Sequence, residues 1–170
     1  MVQIGDIHLG KAESAIPPGI NIMEASLLWD ALMSRYKCVE ETQFYYKYAH
    51  DNDFKALLKF GVNFLSSQAD ELEKQMVKYQ LPMPKRPPLS FNDPENNRNI
   101  FSDEFMLRQI FEGCQTFIDY FARVSRSVIA NDQLRKVFVN FLTDELTLFD
   151  KLCKFAKLKG WIEVPPPYHS

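Results

Sequence analysis

The stretch from Tyr79 to Asp103, YQLPMPKRPPLSFNDPENNRNIFSD, constrains this chain more than any other. It holds five of the ten prolines: Pro82, Pro84, Pro87, Pro88 and Pro94. Proline fixes its own φ, has no N–H to donate, and pushes the preceding residue out of the helical region. No helix runs through such a stretch. On both sides of it, apolar residues recur at three- and four-residue steps, the spacing that lines one face of a helix. The chain therefore reads as two helical halves around a proline-rich connector.

Each half reads as a hairpin. Leu28, Leu32, Tyr36 and Val39 mark the first stripe, and Leu58, Leu65, Leu72 and Met76 the second. Leu107, Phe111, Cys114, Ile118 and Phe121 mark the third. Leu134, Phe138, Phe141, Leu148 and Leu152 mark the fourth. Asn21 with Glu24, Asp51-Asn52-Asp53, Ser102 with Asp103, and Asn131-Asp132 supply capping side chains at the starts. Gly160 suits the end of the last helix, where Lys154, Lys157 and Lys159 favour the negative pole of the dipole. The expected helices cover about 22–50, 53–79, 103–129 and 132–159. Residues 1–20 read as irregular, punctuated by Pro17-Pro18-Gly19.

Helices of about 27 residues are about 40 Å long. A connector of about 22 residues, partly polyproline, reaches up to about 68 Å. A hairpin turn needs far fewer residues, so the second and third helices are expected to be parallel, joined lengthwise. The expected fold is all-α: one ferritin-like four-helix bundle over residues 1–170, two antiparallel helix hairpins joined by a long crossover at about 80–102. The segment Val62-Asn63-Phe64-Leu65 recurs as Val139-Asn140-Phe141-Leu142, which supports two equivalent hairpins. Lys85-Arg86 is expected to be a solvated part of the crossover. Pro165-Pro166-Pro167-Tyr168 reads as a helix-stopping tail.

The 170 residues are 46% hydrophobic and 25% charged, ordinary for one globular domain. The 14 phenylalanines imply a bulky core or a large buried interface. Phe44-Tyr45-Tyr46 with Tyr48 paves the first helix nearly all round, which fits either a subunit interface or the core of a wide bundle. A net charge of -2 leaves no electrostatic footprint for nucleic acid. No run of about 18 apolar residues suits a membrane span. The N-terminus has neither the basic nor the apolar region of a secretory leader. A cytoplasmic protein is expected, with Cys38, Cys114 and Cys153 reduced and mostly buried.

A ferritin-like bundle with a di-metal centre places a Glu on each of two helices and Glu-x-x-His on the other two. The three-residue spacing sends both ligands into one layer. Their oxygen and imidazole donors suit iron or manganese. Here the histidines are His8, His50 and His169, none of them mid-helix after a Glu. The positions matched by the internal repeat read Gln68-x-x-Glu71 and Glu145-x-x-Leu148. No metal, cofactor or catalytic residue is assigned. A polar set remains: Gln68, Glu145 and Gln115 interrupt apolar stripes, and Glu40 and Gln43 lie mid-way along the first helix. These five are the candidate ligand-binding residues. A buried carboxylate is costly unless paired. The set therefore reads as a satisfied layer with Arg35 or a tyrosine hydroxyl as partner, as polar residues at stripe edges, or as a ligand site.

Several stretches carry a resemblance: LLWDALMSRY, EETQFYYKYAHDNDFK, LPMPKRPP, FSDEF and KLCKFAKLKGWIEVPPPY. From about Ala25 to Tyr168 the chain resembles ferritin-like proteins of uncharacterised function from spore-forming Bacilli, related to spore coat protein F. The resemblance implies a ferritin-like bundle and an association with the spore coat and its proteins. Many such relatives look like tandem duplications of this unit, so a single unit is expected to form a homodimer. A non-enzymatic structural or interaction protein is the first reading. A metal- or small-ligand-binding protein with a degenerate mid-bundle site is the alternative.

Overall fold

Every helix begins where a side chain can accept one of its free backbone N–H groups. In the computed structural model, which describes residues 2–4, 7–9, 19–88 and 101–166, the helices are α1 (Ile22–Tyr48), α2 (Asn52–Lys78), α3 (Asp103–Ser127) and α4 (Asp132–Lys159). Asn21 Oδ1 accepts from the Glu24 N–H at 2.9 Å, and Glu24 Oε2 accepts from the Asn21 N–H at 3.2 Å. Asp51 caps α2 through the Phe54 N–H, Ser102 caps α3 through that of Phe105, and Asn131 caps α4 through that of Leu134. Each such cap contributes about 1 kcal/mol. Helix α4 ends at Gly160, whose φ of 66° is the left-handed conformation. There the Gly160 and Trp161 N–H groups bond back to the Lys157 and Ala156 carbonyls.

Two expected boundaries move. Helices α1 and α3 stop two residues earlier than His50 and Ile129, because Ala49 and Val128 leave helical geometry and bury their side chains in the loops. Residues 1–20 are not all irregular. Strands β1 (Val2–Ile4) and β2 (Ile7–Leu9) pair antiparallel, Val2 opposite Leu9 and Ile4 opposite Ile7. The alternation Val-Gln-Ile and Ile-His-Leu was the signal for them.

Side-chain clasps fix the directions of the helices. At one end, Glu24 at the start of α1 accepts from the Asn131 N–H, and the Asn131 amide donates to Tyr79 Oη at the end of α2. At the other end, Asp103 at the start of α3 accepts from the His50 and Asp51 N–H groups, at 2.9 and 2.6 Å. Lys159 at the end of α4 pairs there with Asp51 and Asp53 at 2.8 and 2.7 Å. Helix α3 therefore starts at the end opposite to where α2 finishes. The order is up, down, down, up, with α2 and α3 parallel, as the connector length predicts. The middle of the crossover lies outside the described residues. Its first part is held down: Leu81 packs on the core, and Arg86 pairs with Asp70 and Glu73 of α2 at 2.9 and 3.1 Å. Lys85 and Arg86 are exposed, as expected of a solvated connector, and these two carboxylates add surface ion pairs to Arg86.

The core has two parts. One lies where α1 and α4 begin and is built around Leu28, Leu32, Leu72, Phe121 and Phe138. The other lies where α2 and α3 begin and is built around Tyr48, Phe54, Leu58, Met106 and Leu152. Phe44, Tyr45 and Tyr48 belong to this second part, where Phe101 stacks edge-on against Phe44 and Tyr48. Tyr46 is the exposed member of that aromatic run.

Candidate functional site

Between the two parts of the core lies a polar layer at mid-height. Arg35 from the middle of α1 and Glu145 from the middle of α4 form an ion pair, Nη2 to Oε1, with side chains only 1% and 2% exposed. Cys114 of α3 donates its Sγ–H to the second carboxylate oxygen, Oε2, at 3.4 Å. The Arg35 guanidinium also lies over the Phe117 ring, 4.0 Å from its centroid, and 4.8 Å from that of Phe121. Cation–π contacts of this kind strengthen as water is excluded. The carboxylate is thus matched by one cation and one thiol. Burial, and then the carboxylate beside it, pushes the Cys114 thiol well above the ordinary range, so it stays protonated and remains a donor.

Of the five predicted residues, Glu145 alone joins this network. Gln68 is buried, but neither its amide oxygen nor its nitrogen has a hydrogen-bond partner among the described residues. Counting from the caps shows why. Glu145 is 15 residues from Gly160 and Gln68 is 17 from Asp51, at the same end of the bundle, so Gln68 sits about 3 Å past the pair. Gln43 is half-buried and its Oε1 is unpartnered. Glu40 is half-buried on α1, outside the pair. Gln115 is exposed, which corrects its assignment to the layer. Successive helical residues point about 100° apart, and Cys114 takes the inward position instead.

Sequence reasoning named Arg35 only as one possible partner. Its signal was its place three residues after Leu32 and four before Val39, on the buried stripe. Beside the pair, all four helices line a cavity of about 140 Å³. Its walls are mostly apolar, with Phe64, Leu65, Phe117 and Leu148 among them. Small residues open it. A Cβ on Gly113 would meet nothing within 4 Å, and one on Gly61 would meet only Thr42 Cγ2, at 3.4 Å. The exposed residues along the wall are Glu41 and Gln109, so the mouth lies between α1 and α3.

The donor set does not fit a di-metal centre. Among the described residues Glu145 is the one carboxylate of the layer, and the Arg35 cation already occupies it. Among the described residues no three His, Cys, Asp or Glu side chains gather where they could hold a metal ion.

The sequence matches one described family, a protein of unknown function termed DUF3231, over residues 17–170. The chain belongs to the DUF3231 family. Two solved structures share the fold of this DUF3231 chain. A candidate spore coat protein from Bacillus halodurans matches with a TM-score of 0.79 at 19% identity, over 89% of this chain and 96% of that one. A two-domain protein from Anabaena variabilis, with DJ-1/ThiJ/PfpI-like and ferritin-like domains, matches with a TM-score of 0.64 at 18% identity. That match covers 86% of this chain and 40% of the other. At these identities the likeness shows the fold alone: all-α, a four-helix bundle. No curated protein sequence matches the chain. Among the described residues, no helix is long and apolar enough to cross a membrane.

Proposed function

We propose that this DUF3231 chain is a non-enzymatic structural and interaction protein, homodimeric and associated with the spore coat. One observation carries the reading. Glu145, the single mid-bundle carboxylate among the described residues, is held by Arg35 and Cys114 of the same chain. A protein cation fixed in that position neutralises the carboxylate without offering an open coordination site. The coat association is supported by the fold shared with the candidate spore coat protein. Dimerisation is supported by Trp29 and Met33, one turn apart and both exposed on α1.

Elemental analysis of protein purified without chelators tests the non-enzymatic part. The expected result is no stoichiometric iron, manganese or zinc. Stoichiometric metal that disappears in Glu145→Ala would overturn it. Light scattering tests the dimer, with an expected mass of twice the 19.8 kDa chain. A monomer mass at high concentration would refute it. Fractionation of sporulating cells tests the location, with the chain expected in the coat extract and not in the soluble fraction.

A further inference from the structure

The cavity beside the ion pair is not accounted for by a structural role. It lies at the level where the four helices come together, and its size is close to that of the roughly 150 Å³ apolar cavities that take up a benzene-sized ring. Its walls are mainly Leu, Ile and Phe side chains, and the buried polar residues Arg35, Glu145 and Thr42 also line it. Arg35 spends Nη2 on Glu145, while its Nε–H, also buried, donates to no atom of the described residues. A buried donor left unmatched is unfavourable, so a ligand that supplies an acceptor there gains both a hydrogen bond and apolar burial.

Charge selects the ligand class. Arg35 and Glu145 compensate each other inside the cavity, and Glu41 stands at the mouth. An anion would meet two carboxylates, and an ion of either sign would have to shed its water among apolar walls. The cysteines that line it, Cys38 and Cys114, are kept as neutral thiols by burial. We infer that the cavity is a binding site for a neutral, ring-sized apolar molecule with one hydrogen-bond acceptor, such as a small aryl ketone, its oxygen facing Arg35 Nε. Such binding requires neither coat association nor a dimer.

The test is an NMR titration of the full chain with four probes: acetophenone, isopropylbenzene, benzoate and benzylammonium. Acetophenone and isopropylbenzene have the same number of heavy atoms and differ in the acceptor. Acetophenone is expected to give saturable shifts at Gly61 and Gly113 below ~1 mM, and to bind about fivefold more tightly than isopropylbenzene, the worth of one net hydrogen bond. Both ions are expected to bind at least about tenfold more weakly. Gly113→Leu fills the cavity while improving helix propensity, and should weaken acetophenone by about tenfold or more. Intermolecular NOEs from acetophenone to the Leu148 methyls locate the ligand without any variant. No saturable shift from the neutral probes, tightest binding by an ion, equal or tighter binding of isopropylbenzene, or binding unchanged in Gly113→Leu would each overturn the assignment.

Discussion

Replacing Glu145 by Leu removes the carboxylate paired with Arg35 and leaves a guanidinium that is 1% exposed without its counter-charge. Breaking a buried pair from one side costs about 3–5 kcal/mol, because the remaining charge stays desolvated. The Phe117 and Phe121 rings at 4.0 and 4.8 Å offset a part of this, on the order of 1–2 kcal/mol. Against a total stability of about 5–15 kcal/mol for an ordinary domain, the variant is expected to remain folded at 25 °C but to lose about a third of its margin. Removing both partners behaves differently. Arg35→Met with Glu145→Leu puts apolar groups of similar volume in the layer, and a methionine sulfur against Phe117 is favourable. The double variant is expected within about 1–2 kcal/mol of the parent. Urea unfolding followed by circular dichroism measures all three, and at a slope of about 2 kcal/mol per molar the Glu145→Leu midpoint falls by about 1–2 M. A Glu145→Leu loss below about 1 kcal/mol, or a double variant no more stable than Glu145→Leu, would show that Arg35 is not a desolvated charge held by Glu145.

Asp103→Ala removes the acceptor of two loop N–H groups and is expected to cost about 1–2 kcal/mol, with faster hydrogen exchange at the Asp51 amide. Asn131→Ala removes both the cap of α4 and a donor to Tyr79, so thermal melting should show a loss of about 1–2 kcal/mol, more than an isolated cap. Burial raises the Cys38 thiol from 9.0 to about 11 and the Tyr120 hydroxyl from 10.0 to about 12. In that window the unfolded chain binds fewer protons than the folded one, so stability is full below about pH 9 and falls as pH rises through 11 to 12. Urea midpoints at pH 8 and pH 10.5 check this, and equal midpoints would contradict it. At pH 8.5, iodoacetamide should label Cys38 in the folded protein about a hundredfold more slowly than in urea, as mass spectrometry of the tryptic peptide would report.

The fold was legible because its determinants are local. Caps at Asn21, Asp51, Ser102 and Asn131 sit within three residues of what they bond. Connector length alone was enough to choose a lengthwise crossover over a turn. The candidate site was legible only in part. Glu145 stood out because a carboxylate on an apolar stripe must find a partner, and Arg35 stood on the facing stripe. Gln115 was misplaced because one residue of rotation decides between the core and solvent, and Cys114 offered no polarity to mark the inward position. The internal repeat misled as well. Val62 lies 11 residues after Asp51 whereas Val139 lies 8 after Asn131, so the matched segments are three residues out of step with their own helix caps. The cavity was not legible, since its volume is what four helix surfaces leave between them, and Gly61 and Gly113 open it only because they face the same gap.

The clasps at the two ends of the bundle have a consequence for the crossover. Each ties a residue of one hairpin to a residue of the other: Glu24 and Tyr79 to Asn131, Asp103 to His50 and Asp51, Lys159 to Asp51 and Asp53. These ties hold the two hairpins together at both ends, in addition to the covalent link between them. The molecule is, energetically, a complex of two helical pieces that share a peptide chain. Separately expressed halves should find each other and rebuild the same core, and a nick in the connector should leave the bundle standing.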